Sequence, residues 1–316
     1  MKFVMAGAGG VGGYLGVRLA GAGHEVAYLA RGRHLAVLRE AGITLRSSHG
    51  DTVLGPQKAS DDPAALGAAD VVVVTVKLYD LAALAPRLKP LVGPGTLVLP
   101  LQNGVDAHPM LSSALPASNL LMGTVSIKSN LAAPGEIVCK SPFCRVRFGP
   151  AQAGTDALAA ALNACVGVEA VVTRDIELDV WRKFVMLASF SAVSCLARAT
   201  IGQVLDSAEA CKLLLEAANE AAAVARAHGV ALPPDIDALV FDQVRDMPRN
   251  ARPSMLEDLE AGRPLEVAFL SGAVVRLGAE RGVATPMHTV AYRALAMHRN
   301  GTEALRAGPD IGGRGK

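Results

Sequence analysis

The chain has 316 residues, enough for two domains and a sizeable core. It is 51% hydrophobic and 19% charged, with a formal net charge of +2, so no strong field favours nucleic acid or an acidic membrane surface. Every apolar stretch is broken by Gly, Pro or charge, which predicts no membrane span, and the N-terminus enters a strand pattern directly, without the features of a signal peptide. Cys139, Cys144, Cys165, Cys195 and Cys211 show no C-x-x-C spacing, and their odd number in a chain without a secretion pattern predicts reduced thiols in a cytoplasmic protein. No Cys/His group has metal-ligand spacing, so no metal is expected.

A short apolar run, Phe3 to Ala6, reads as a buried strand and leads into Gly7-Ala8-Gly9-Gly10-Val11-Gly12, a G-x-G-x-x-G fingerprint. An apolar helix over about Val11 to Ala22 and a second strand over Glu25 to Ala30 complete the unit. Gly7 permits the tight turn. Gly9 lets a pyrophosphate approach the backbone, and Gly12 lets the helix pack closely on the sheet. The free N–H groups at the helix start then hold the phosphates. The competing reading is a purely structural glycine turn. At the end of the second strand, where an NAD site places an acid for the ribose, the chain has Ala30-Arg31-Gly32-Arg33. A guanidinium suits a 2′-phosphate, which points to NADP(H), against the alternative that Arg31 and Arg33 are solvated loop residues.

Farther along, a helix is predicted over His34 to Ala41, and a hairpin from Ile43 to Arg46 and Thr52 to Leu54. Asp61-Asp62-Pro63 starts a short helix. Val71 to Val76 is β-branched without alternation, the pattern of a central parallel strand, and Lys77 stands at its carboxyl end, where such sheets bind ligands. A helix over Asp80 to Leu88 and a strand over Thr96 to Leu99 lead to Gln102-Asn103-Gly104, again at a carboxyl end. Asn103 offers a donor and an acceptor, although Asn before Gly is also a turn signal. Lys77 has its own alternative, a surface lysine opening a helix.

Strand patterns continue over Leu120 to Ile127 and on to about Phe148, followed by a helix over Ala157 to Cys165 and a strand over Val168 to Val172. From Ile176 onward the pattern is helical: 176–196, 207–227, 234–246, 254–261, 266–281 and 286–298, with a frayed tail from Gly308 to Lys316. The division expected is a dinucleotide-binding domain over 1–173 and a helical substrate domain over 174–316. Two charged residues sit in apolar helical surroundings, Lys183 and Glu266. They read as an acid with its orienting group in a cleft, or as a structural ion pair.

Taken together, the glycine fingerprint, Arg31, Thr75-Val76-Lys77, Gln102-Asn103-Gly104, Leu121-Met122-Gly123-Thr124, Trp181-Arg182-Lys183, Pro253-Ser254-Met255-Leu256-Glu257-Asp258 and Glu266 resemble the ketopantoate reductase (2-dehydropantoate 2-reductase) family over nearly the whole chain. The resemblance implies an α/β fold, with an N-terminal Rossmann-type doubly wound sheet and a C-terminal all-helical domain. It also implies NADPH-dependent reduction of ketopantoate to pantoate, as in pantothenate and CoA biosynthesis. By the same resemblance Lys183 and Glu266 are catalytic, and Asn103, Ser254 and Ser191 meet the substrate. Gly7, Ala8, Gly9, Gly10, Val11, Gly12, Arg31, Lys77 and Asn103 meet NADP(H). The partner implied is a small 2-oxo acid, with neither nucleic acid nor membrane, and a homodimer is left open by the apolar helical half. Members often carry asparagines four and eight positions after the lysine, where this chain has Leu187 and Ser191. The alternatives are therefore a reductase of another 2-oxo or branched hydroxy acid, or a non-catalytic NADP sensor.

Overall fold

The computed structural model describes residues 1–302; the tail from Gly308 lies outside the described residues. The fold follows from the apolar runs of the first half. Phe3, Val4, Met5 and Ala6 have no accessible surface, nor do Val71 to Val74, because both faces of these strands are covered. The strands in chain order are β1 (Lys2–Ala6), β2 (Glu25–Leu29), β3 (Ile43–Arg46), β4 (Thr52–Leu54), β5 (Lys58–Ser60), β6 (Val71–Val74), β7 (Leu97–Pro100), β8 (Met122–Ser126), β9 (Ser129–Ala133), β10 (Glu136–Cys139), β11 (Cys144–Gly149) and β12 (Val168–Val172).

One five-stranded sheet runs β5-β2-β1-β6-β7, with every pair parallel. Its members occupy the order third, second, first, fourth, fifth along the chain. That is the Rossmann order, with its crossover beside β1. The short edge strand β5 carries no sequence pattern strong enough to be expected. The predicted hairpin is present as β3 and β4, but it belongs to a second sheet, β4-β3-β10-β9. The last strand, β12, is likewise in a separate sheet, β12-β11-β8. Ile137, Val146 and Phe148 of these smaller sheets join the same buried core as Phe3, Met5 and Leu99.

The chain divides into two compact units, Met1–Val180 and the part from Trp181 onward. The cut falls inside helix Ile176–Ala197 rather than at the expected 173/174 junction. This helix is long and apolar enough to span a membrane by length and composition, despite the charges that interrupt it. Most of it is buried in the protein, which marks it as a core helix.

The second unit is helical throughout its described residues. Helices Ala208–Ala227, Ile236–Arg245, Ser254–Glu260 and Pro286–Ala296 lie near their expected bounds. A short helix, Ile201–Asp206, is additional; Thr200 and Gln203 close a capping box at its start. The helix expected over 266–281 is broken. The Glu266 carbonyl accepts from the Phe269 and Leu270 N–H groups, closing a 3₁₀ turn over Val267–Phe269, and a regular helix resumes at Ser271–Arg281. Helix Pro286–Ala296 is capped from a distance: Glu220 accepts from the Met287 and His288 N–H groups at 2.7 and 3.0 Å.

Candidate active site

In the first unit, the residues picked out from sequence gather at one edge of the parallel sheet. The glycine turn follows β1, Arg31 follows β2, Lys77 follows β6 and Asn103 follows β7, all at carboxyl ends.

The glycines differ in what they do. Gly7 has φ +111°, and a Cβ there would stand 2.8 Å from the Val76 backbone nitrogen. Only glycine turns the chain at that point. A Cβ on Gly12 would fall within van der Waals exclusion of the Gly7 carbonyl, so Gly12 sets how closely helix Gly10–Gly21 approaches the turn. Gly9 is the opposite case, since a Cβ there would meet no protein atom within 4 Å. The helix behind it begins at Gly10, has no side-chain cap, and points the first N–H groups of a twelve-residue helix outward. An open face at Gly9 and an uncapped helix start fit a pyrophosphate.

Gly10 has a packing duty that the sequence did not reveal. Its Cβ would run into the backbone of Ser129 on β9, and the Ser129 hydroxyl donates to the Gly10 carbonyl at 2.9 Å. Ala8 turns its methyl into the core, and Val11 is half-buried. The turn is braced further by His34. The Gly135 N–H donates to His34 Nδ1 at 3.0 Å, which leaves the proton on Nε2, donated to the Ala8 carbonyl at 2.8 Å. Burial pushes the pKa of this imidazole down, holding it neutral, as an acceptor at Nδ1 requires.

Arg31 is well exposed and donates to Asp80 at 2.9 Å; Asp80 lies in the first turn of helix Leu78–Leu84. An exposed pair of this kind is weak, so the guanidinium is available to a stronger anion. Lys77 is half-buried immediately before that helix, and Asn103 is half-buried in the turn after β7. Sequence reasoning passed over His34, Asp80 and Gln102. Only Gln102 had a local signal, its place beside Asn103.

In the second unit, Lys183 projects from an almost uniformly apolar turn of helix Ile176–Ala197, among Trp181, Phe184 and Val185, all buried. The residue keeps some accessible surface, yet burial pushes its pKa down to about 8, while the negative charge of Glu266 acts in the opposite direction. Glu266 itself is buried at the mouth of the 3₁₀ turn. The break in the expected helix therefore sets down a buried carboxylate whose field reaches Lys183.

Ser254 is exposed in the first turn of helix Ser254–Glu260. Ser191 departs from expectation. It has no accessible surface, and among the described residues its hydroxyl finds no hydrogen-bond partner. Leu187 is half-buried and offers no polar atom.

The family models describe the same two halves. "Ketopantoate reductase PanE/ApbA" matches residues 3–152, and "Ketopantoate reductase PanE/ApbA C terminal" matches 175–299. The 2-dehydropantoate 2-reductase of Halobacterium salinarum is 30% identical over 95% of this chain and the whole of its own length. The chain belongs to the ketopantoate reductase family. A ketopantoate reductase of this family from Ralstonia eutropha JMP134 superposes with a TM-score of 0.87 at 30% identity, covering 95% of this chain and 98% of its own. D-mandelate dehydrogenase, solved with NADH and anilino(oxo)acetate, shares the fold at a TM-score of 0.86 and 22% identity, covering 97% and 99%. The family is one of oxidoreductases, and the ketopantoate reductase fold places its Rossmann-type half and its helical half in the order found here.

Proposed function

We propose that this ketopantoate reductase family member reduces 2-dehydropantoate to pantoate with NADPH. The observation that carries the reading is Lys183, an ammonium held in an apolar helix with its pKa pushed to about 8 and a buried carboxylate acting on it. A group poised near neutrality is suited to give up a proton during turnover.

The glycine turn would hold the pyrophosphate at Gly9 and at the open start of helix Gly10–Gly21. Arg31 would pair the 2′-phosphate, with Lys77 adding positive charge at the same sheet edge. When bound, the nicotinamide supplies a hydride to the ketone carbon. Lys183 Nζ donates a hydrogen bond to the ketone oxygen, stabilises the charge that develops there and transfers its proton, leaving an alcohol and a neutral amine that is reprotonated from solvent. Glu266 holds the lysine charged between turnovers. Asn103 and Ser254 have the donors and acceptors to orient the acid.

The reading is tested by following NADPH absorbance with ketopantoate and with NADH in its place. Rapid oxidation of NADPH by ketopantoate supports both substrate and cofactor. A second reading rests on Leu187 and the buried Ser191, which leave that helix face without amide groups: the substrate is then another 2-oxo acid with a more apolar side chain. A panel that includes aromatic and branched 2-oxo acids separates the two by kcat/KM. Tight NADPH binding with no oxidation by any of them would leave an NADP sensor.

A further inference from the structure

At the carboxyl end of β7, next to Asn103, Gln102 is 8% exposed, and among the described residues neither its Oε1 nor its Nε2 has a hydrogen-bond partner. Leaving a buried polar atom unpaired is costly, and Gln102 leaves an acceptor and a donor unpaired on one amide. Gln102 lines a small cleft, shared with Gly104, Val105, His108, Met122 and Val180. Mostly apolar walls beside a polar side chain suit a ring with a polar substituent.

The position narrows the occupant. In the order β5-β2-β1-β6-β7, the phosphate turn follows β1, while Arg31, proposed for the adenosine side, follows β2 on one flank. The other half of a dinucleotide then extends toward β6 and β7, roughly 10 Å away at about 4.8 Å per strand step. Gln102 stands at that far end. Its Oε1 needs a donor and its Nε2 needs an acceptor, side by side. A carboxylate satisfies Nε2 but sets its oxygens against Oε1, whereas a primary carboxamide satisfies both.

We propose that Gln102 is a cofactor-binding residue whose side-chain amide pairs with the carboxamide of the nicotinamide ring. This rests on the nicotinamide reading above and adds a residue to it. Nε2 donates to the carboxamide oxygen, and Oε1 accepts from its amide N–H. The paired substituent fixes the rotation of the ring, and with it the face turned toward substrate.

The test is calorimetric binding of NADP⁺, of its 3-acetylpyridine analogue, which keeps the carbonyl but lacks the amide donor, and of adenosine 2′,5′-bisphosphate, which lacks the nicotinamide half. Wild-type protein is expected to bind the analogue about tenfold more weakly than NADP⁺, the size of one lost hydrogen bond. Gln102→Met, close in shape, should bind NADP⁺ and the analogue equally and more weakly than wild type, with adenosine 2′,5′-bisphosphate unchanged; Gln102→Leu repeats the measurement should Met pack poorly. Equal loss for all three ligands, or no change for any, would overturn the assignment and leave Gln102 bound to buried water. Wild-type protein that bound neither dinucleotide would remove the cofactor reading itself, a failure visible before any variant is made.

Discussion

In the proposed reaction Lys183 carries the most specific chemistry of any single residue. Its pKa of about 8 is the result of opposed effects, burial lowering it and the Glu266 charge raising it. The proposed reduction needs the protonated amine. kcat/KM for ketone reduction should therefore be flat below about pH 8 and fall as pH rises above it. Glu266→Gln removes the raising charge, so the break in the profile should move to lower pH. A break that stays in place would mean that another group supplies the proton. Lys183→Ala should lower kcat by roughly 10²–10⁴ while NADPH affinity stays near wild type, measured by single-turnover kinetics and by fluorescence binding. Arg31 is a separate residue-scale question. Arg31→Asp should shift the ratio of NADPH to NADH affinity toward NADH. Asp80→Asn, which frees the guanidinium from its 2.9 Å partner, should shift it modestly the other way, and opposite signs in the two variants are the diagnostic.

At the scale of elements, two tyrosines on the Rossmann-type framework make a matched comparison. Tyr14, on helix Gly10–Gly21, donates to the Gly167 carbonyl at 3.3 Å. Tyr28, on β2, is fully buried against the Gly16 face of that helix, and its hydroxyl has no partner. Tyr14→Phe should cost about 1 kcal/mol, while Tyr28→Phe should be neutral or stabilising by about that much, because it removes an unsatisfied hydroxyl without changing the ring. Urea midpoints of the two variants check the contrast, and equal destabilisation would show that Tyr28 has a partner in solution. The elements also show what could be read in advance. The glycine turn, the buried strands β1 and β6 and the long helices were legible because their signals are local: spacing, β-branching and 3.6-residue periodicity. Contacts made across the chain were not. Gly10 packs on Ser129, 119 residues away, and His34 accepts from Gly135, 101 residues away, pairings that no window contains. The break after Glu266 was hidden for another reason. The helical pattern runs through it, and only the carbonyl of Glu266 turning back to Phe269 and Leu270 shows where the helix stops.

Across the molecule, each unit encloses a neutral imidazole used as a structural part, and this ties stability to pH. His34 does so in the first unit, as described. In the second, His288 has no accessible surface; Nε2 donates to the Ala217 carbonyl at 3.0 Å, and Nδ1 accepts from the Ser271 hydroxyl at 3.2 Å. Burial pushes the His288 pKa down to about 4, partly opposed by the bond to Ala217. In the unfolded chain the same ring titrates near 6.5. Between these values the unfolded state holds a proton that the folded state refuses. Stability is therefore fully present above about pH 6.5, and is lost progressively as pH falls toward about 4, with no further loss from this group below that. The gap of about 2.5 pH units corresponds to about 3 kcal/mol at the acid end. His288→Asn has no such titration. Its melting temperature should be lower than wild type at pH 7.5, because the packing and one hydrogen bond are disturbed, yet should fall less steeply between pH 6.5 and pH 4.5. Parallel curves for the two proteins would show that His288 charges in place and that acid lability arises elsewhere, with the His34 brace the next position to vary.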